Sequence, residues 1–264
     1  MLEKFVEDHR YSRTKNLLKE VSASPITMPK VVVIVAEAGC GKSTLLKRHC
    51  VELDWVLLSL KEYQSPSWLM GSLAAEVCGY SLNTISENYS IIVGSLRKRP
   101  RGIVCDEAHR VARNLGRYEI LRDVSDETGS PLVLVGTQDL LRAVHALPPL
   151  ESRVAGWSTI DPCDLADTKL YAEQLCEVGI GDDLIKVVHE ITKGLPRGIV
   201  IALSRLESLA HRRGKKRLSL ADIPEKFSFT FATRGRRHAI ALDADGGAPA
   251  TSSEPDEPAL RAVK

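Results

Sequence analysis

The most constraining stretch of this 264-residue chain is Val31-Val-Val-Ile-Val35, followed at once by Ala36-Glu-Ala-Gly-Cys-Gly-Lys-Ser-Thr44. Five consecutive β-branched residues suit a strand covered on both faces, since a strand with one wet face would alternate apolar and polar positions. A helical stretch from Ser43 to Val51 follows. Strand, glycine-rich turn and helix form the arrangement that gathers backbone N–H groups and a helix N-terminus around a phosphate. The pattern G-x-x-x-x-G-K-[ST] is met except that Ala36, also small, stands at the first glycine. Gly39 and Gly41 let the backbone wrap closely. The expected cradle is Glu37, Ala38, Gly39, Cys40, Gly41, Lys42, Ser43 and Thr44. Lys42 is expected to reach the β- and γ-phosphates of ATP, and Ser43 to ligate Mg²⁺.

The rest of the chain alternates in the same way. Strands are expected at 55–60, 102–106, 131–136 and, more weakly, 157–161; helices are expected near 66–78, 84–98, 117–128 and 138–145. Alternating strands and helices imply crossover connections and a parallel sheet layered between helices. The expectation is an α/β, three-layer fold of about five strands. After Pro162 only helical periodicity remains, at 166–178, 181–193 and 197–212 with a short turn after Ser219, which predicts a small all-helical unit. The domains expected are 1–24 as an N-terminal helical segment, 25–163 as the nucleotide core and 164–226 as the helical unit. Residues 227–264 form a basic then acidic tail, largely disordered from about 243.

Ile103-Val-Cys-Asp106-Glu107 is an apolar strand ending in two acids. Asp106 is placed to hold Mg²⁺ through its water shell, and Glu107 to polarise an attacking water. Asp106-Glu-Ala-His109 also spells a helicase box, which is set aside because such helicases need two motor domains and one fits here.

Composition removes several classes. The six cysteines form no C-x-x-C and no finger spacing with histidine, which reads as reduced thiols in a cytoplasmic protein. The N-terminus is too acidic for a signal peptide, and the longest aliphatic run, Val31 to Ala36, is far shorter than the roughly 20 residues of a membrane span. The net charge is +2, but residues 243–264 carry −3, leaving +5 on the rest. That balance permits nucleic acid as a partner without requiring it. Aromatic residues make up only 5% and none is interleaved with the basic clusters, which favours contact with a duplex backbone over base stacking.

With these residues in place, the chain resembles an AAA+ ATPase over about residues 25–225, the helical unit being similar to the AAA+ lid. The resemblance implies a polar sensor after the fourth strand, here Thr137 (or Gln138), and an arginine finger ahead of the fifth, here Arg153. A finger acts in a neighbouring subunit, so it implies a homo-oligomer, ring or helical filament. Arg197, in Gly194-Leu-Pro-Arg-Gly198, looks like the second sensor on a lid helix. The text A-E-A-G-C-G-K-S-T-L-L, C-D-E-A-H-R, V-G-T-Q and G-L-P-R is similar to the B-type transposition ATPases, the group of the phage Mu B protein and of the target-selecting ATPases of Tn7-like and Tn5053-like elements. It implies ATP-dependent assembly on double-stranded DNA, delivery of that DNA to a transposase, and hydrolysis that clears the filament. The chain departs from Mu B in having too few residues before the core for a helix-turn-helix module. Family geometry points to Arg110, Arg113 and Arg117 as phosphate contacts; Arg97–Arg101 and Arg212–Arg217 are the other basic clusters. The alternatives are a secretion or signalling ATPase of the ExeA kind, which shares much of this pattern, and a helicase loader, both acting on protein partners.

Overall fold

The computed structural model describes residues 1–25, 27–111, 116–224, 227, 231–233 and 236–238. They divide into two compact units, Glu7–Asp161 and Met1–Val6 with the chain from Pro162 onward.

The first unit runs α1 (His9–Ala23), β1 (Val31–Ala36), α2 (Lys42–Leu53), β2 (Val56–Ser59), α3 (Pro66–Cys78), α4 (Ile85–Lys98) and β3 (Ile103–Asp106). It continues with α5 (Gly116–Thr128), β4 (Leu132–Gly136), α6 (Gln138–His145), α7 (Pro148–Glu151) and β5 (Val154–Ile160). All pairings in its five-stranded sheet are parallel, in the order β2-β3-β4-β1-β5. Every residue of β1 is buried, as the β-branched run requires. Val31, Val33 and Val35 face a core shared with Ile103 and Cys105 of β3, Leu132 and Leu134 of β4, and apolar residues of α3 to α7. The alternate residues Val32 and Ile34 lie on the opposite face and are as fully buried.

The helices start where their sequences say they should. Ser65 caps α3 by accepting from Trp68 N, with Pro66 in the first turn. Thr84 and Glu87 form a reciprocal capping box on α4.

Register decides where the site falls. Val35 lies opposite Gly136, Ala36 opposite Ile160 and Ser59 opposite Asp106, so the C-terminal strand ends share one edge. The chain leaves β1 for the far strand β2, returns through β3 to β4 beside β1, and crosses to β5 on the other side. In open parallel sheets the crevice at such a change of direction is where ligands bind.

Two details differ from the sequence expectation. β5 begins at Val154 rather than near Trp157, because pairing with β1 extends it; Val31 N already donates to Arg153 O at 3.2 Å. Its alternating burial, with three exposed positions, explains the weak signal. The short α7, led by two prolines, was not legible as a helix.

The second unit holds α8 (Leu165–Leu175), β6 (Gly179–Ile180), α9 (Asp182–Thr192), α10 (Pro196–Arg212) and β7 (Arg217–Leu218), with β8 (Phe231–Thr233) and β9 (Arg236–His238) beyond. Its core is Leu184, Ile185, Val188, Ile199, Leu203 and Leu206 with their neighbours. The unit is helical as expected, but β6 and β7 add a two-residue parallel ladder, and β8–β9 form an antiparallel pair inside the stretch read as a basic tail. The acidic stretch from 243 lies outside the described residues. Among the described residues no helix is long and apolar enough to cross a membrane.

Gly102, directly before β3, shows how tightly the N-terminal ends of the strands are packed. A Cβ there would sit 2.3 Å from the Trp55 ring. Gly102→Ala is therefore expected to destabilise the protein by about 1–3 kcal/mol, the usual cost of overpacking. Urea denaturation measures it, and an unchanged midpoint would contradict the packing described.

Candidate nucleotide site

At the end of β1 the chain turns through Glu37 to Gly41. Gly39 (φ 91°) and Gly41 (φ 77°) adopt the left-handed conformation that other residues enter only at a cost. Gly41 stands at the N-cap of α2 without a side-chain cap, so the first amides of Lys42, Ser43 and Thr44 are left for a ligand. Lys42 is almost fully buried; its Nζ donates to Glu37 O at 3.4 Å and lies 4.0 Å from Glu107 Oε1.

The expected ion-binding pair meets directly. Ser43 Oγ donates to Asp106 Oδ2 at 2.5 Å, across 63 residues of sequence. Asp106 is 5% exposed, and its Oδ1 accepts from Glu107 N at 2.8 Å. A hydroxyl and a carboxylate beside an anion cradle form the hard-oxygen donor set that suits Mg²⁺, whose remaining positions are normally filled by water and phosphate. The residues present fit that ion.

Glu107 has φ 57°, left-handed for a residue with a side chain. Such strain costs on the order of 1–3 kcal/mol and persists only where the surroundings impose it, which is characteristic of functional positions. Here it turns the side chain back over the site. Its Oε2 accepts from Arg110 Nε at 3.0 Å and lies 3.7 Å from His109 Nε2. Thr137 directly follows β4 at the N-cap position of α6 but makes no side-chain cap bond, leaving its hydroxyl available to another partner.

Arg153 lies elsewhere. It precedes β5 at the N-terminal end of the sheet, beside Val31, where its Nε donates to Asp126 Oδ2 at 3.1 Å. The length of β1 separates it from the phosphate loop of its own chain by about 16 Å, at roughly 3.3 Å per strand residue. An arginine side chain does not span that distance. Arg197 is exposed in the first turn of α10, within the second unit. Arg110 and Arg117 follow β3 at its C-terminal end, Arg117 Nη1 donating to Glu62 O at 3.1 Å; Arg113 lies outside the described residues. In the other basic clusters, Arg97 pairs with Glu127, Arg99 with Asp54, and Lys215 with Asp222.

Residues 27–144 match a family model described as an AAA domain. No curated protein sequence is detectably similar to the chain. Among solved structures, the ADP form of the Aeropyrum pernix ORC2 protein matches with a TM-score of 0.61 at 16% identity, over 84% of this chain and 68% of that one. The Aeropyrum pernix ORC1 protein, solved in complex with DNA, matches at 0.54 and 16% identity, over 84% and 64%. The Thermotoga maritima RuvB Holliday junction branch migration motor matches at 0.54 and 18% identity, over 84% and 68%. The chain has the AAA+ fold. Within that fold, the loop after β1 and the acids ending β3 occupy one edge of the sheet, as the register above requires.

Sequence reasoning missed the buttress of the phosphate loop. Buried Arg10 on α1 donates from Nη1 to Cys40 O at 3.1 Å and from Nε to Asp8 Oδ2 at 2.9 Å. Its neighbour Tyr11 stacks on His49 of α2, ring centres 4.5 Å apart and planes 16° from parallel. Arg10 and Tyr11 thus tie α1 to the loop and to the helix that follows it, Arg10 from 30 residues upstream of Cys40. The signal was the Arg-Tyr pair in an otherwise ordinary amphipathic helix. Burial pushes the Cys40 thiol up, and that of Cys50 up to about 12, which keeps both protonated and unreactive.

His49 is fully buried, and neither ring nitrogen has a hydrogen-bond partner among the described residues. Burial holds its pKa down at about 4 against an ordinary 6.5. As pH falls, the unfolded chain therefore takes up this proton first. The neutral stacked ring contributes its stability in full above about 6.5 and loses it progressively toward pH 4, up to about 3 kcal/mol. His49→Phe keeps a ring against Tyr11 and removes the titration. Urea midpoints measured from pH 7 to pH 4 are expected to fall less in the variant; parallel falls would contradict this account.

Proposed function

We propose that this protein is a DNA-binding AAA+ ATPase that assembles on duplex DNA when bound to ATP and presents that DNA to a transposase, hydrolysis then dissolving the assembly. The observation that carries the reading is the meeting of Lys42, Ser43, Asp106 and Glu107 at the mouth of the phosphate loop.

In this reading the amides of Gly39 to Thr44 and the Lys42 ammonium hold the phosphates. Ser43 and Asp106 would hold Mg²⁺, which would supply charge neutralisation to the bound phosphates. Glu107 orients and polarises the attacking water, Thr137 hydrogen-bonds the γ-phosphate or that water, and Arg197 senses the γ-phosphate from the lid. Arg153, too far from its own loop, supplies positive charge to the site of an adjacent subunit, so turnover requires the oligomer. Arg110 and Arg117, with Arg113, contact DNA phosphates. Arg110 also holds a Glu107 carboxylate oxygen. A phosphate that draws Arg110 away frees Glu107 for the water, which links DNA contact to hydrolysis. The transposase as recipient rests on the motif text shared with the B-type transposition ATPases. DNA as partner is supported by the net basic core and by neighbours in fold whose own structures are DNA-bound or DNA-motor proteins.

Lys42→Ala is expected to abolish nucleotide binding and, with it, nucleotide-dependent DNA binding. Glu107→Gln is expected to keep ATP binding, lower turnover by roughly 10²–10⁴-fold, the usual worth of a general base, and leave a long-lived DNA complex. Steady-state ATPase assays and DNA dissociation rates measure both. Wild-type turnover in Glu107→Gln would end the hydrolytic assignment.

A further inference from the structure

The segment between β2 and α3 carries an aromatic pair whose surroundings the nucleotide site does not explain. Tyr63 and Trp68 stack with ring centres 5.5 Å apart and planes 19° from parallel. Lys61 Nζ lies 5.5 Å from the centre of the Trp68 ring. Yet Tyr63 is 75% exposed and Trp68 43%, unusual for two large rings that could have packed inward.

The pair is held in place. Gln64, 2% exposed, closes the turn: its Oε1 accepts from Lys61 N at 2.9 Å and its N donates to Lys61 O at 3.1 Å. Ser65 Oγ accepts from Trp68 N at 3.1 Å, and buried Leu60 and Leu69 anchor the two ends. Rings fixed in advance lose little freedom when a ligand stacks on them.

The surface is also charged in a particular way. Arg117 reaches the turn through Glu62 O, while its Nε is buried without a hydrogen-bond partner among the described residues. Lys61 and Arg117 thus flank two flat rings. The remaining exposed residues of the turn, Glu62, Ser65 and Ser67, are polar, so the apolar area is little more than the rings themselves. A stable protein contact needs about 800 Å² per partner. One planar base with its phosphate fits this combination of π-face and cation; a helix or strand of another protein does not.

We propose that Tyr63 and Trp68 are a stacking platform for an unpaired base of the bound DNA, with Lys61 and Arg117 on the adjoining phosphates. The proposal rests on the DNA-binding reading above and deepens it: the preferred DNA is one in which a base has left the helix, since a paired base has no free face to offer. The platform adjoins the hydrolytic acids, because Leu60 N donates to Asp106 O at 2.9 Å. A base captured on it bears on the strand that carries Asp106 and Glu107.

The test uses the full chain loaded with a non-hydrolysable ATP analogue at one fixed salt concentration. Fluorescence anisotropy compares a perfect duplex, the same duplex with a single bulged thymidine, and the same bulge with an abasic site. The wild type is expected to bind the bulged base about 5- to 150-fold more tightly than the abasic bulge, the worth of one stacked base. Tyr63→Ala and Trp68→Ala should each remove that preference while leaving perfect-duplex affinity unchanged, and Trp68→Phe should keep most of it. Circular dichroism confirms that each variant is folded. Equal affinity of the wild type for the base and the abasic bulge overturns the platform and leaves the duplex-binding reading standing, as does a preference that survives Tyr63→Ala. No nucleotide-dependent binding to any of the three DNAs overturns both.

Discussion

The structure depends on the burial of β1 on both faces and both edges. It sits between β4 and β5 in a fully parallel sheet, so its register fixes the height of every neighbouring strand end. That register brings the loop after Ala36 level with Gly136, and the pairing of β2 with β3 brings Ser59 level with Asp106. Ser43 and Asp106 can then meet at hydrogen-bond distance although they come from different crossovers. A one-residue slip of β3 would move Asp106 about 3.3 Å and turn its side chain to the other face, dismantling the site without unfolding the sheet.

Against this rigid background two groups are held in costly states. Glu107 sits in a left-handed backbone conformation with its carboxylate tethered to Arg110. His49, on the helix that follows the phosphate loop, is buried as an uncharged ring stacked on Tyr11, with no hydrogen-bond partner among the described residues. The first cost lies at the candidate site, beside Lys42 and Asp106. The second lies one layer behind it, where Arg10 and Tyr11 of α1 brace Cys40 and α2. An edge so supported presents the same amides to a phosphate each time, which is what electrostatic preorganisation requires.

Much of this was legible in the sequence, because the nucleotide site is built from contiguous text. The run Val31–Val35, the glycines at 39 and 41, Lys42-Ser43 and the pair Asp106–Glu107 each sit at a strand end or helix start, where local pattern and fold coincide. Thr137 and Arg153 were singled out through the family resemblance, and the structure puts one directly after β4 and the other at the far end of the sheet. What was hidden depends on long-range approach. Arg10 meets Cys40 across 30 residues, and Arg117 meets the Tyr63–Trp68 turn across 55. The low aromatic content argued against stacking because it averages over the chain, whereas the fold gathers two of those few rings beside two cations. The ladder β6–β7 escaped notice because two residues per strand leave no period to read.

In the proposed function, nucleotide state governs DNA contact through this edge. The most direct measurement is duplex-DNA binding by fluorescence anisotropy with an ATP analogue, with ADP and with no nucleotide, each across a salt series. The account predicts tight, length-dependent binding only with the ATP analogue, and a steep loss of affinity with rising salt as phosphate contacts exchange with counterions. Binding that is equal in all three nucleotide states, or absent from all three at low salt, would contradict it and shift the weight to an ATPase acting on protein partners.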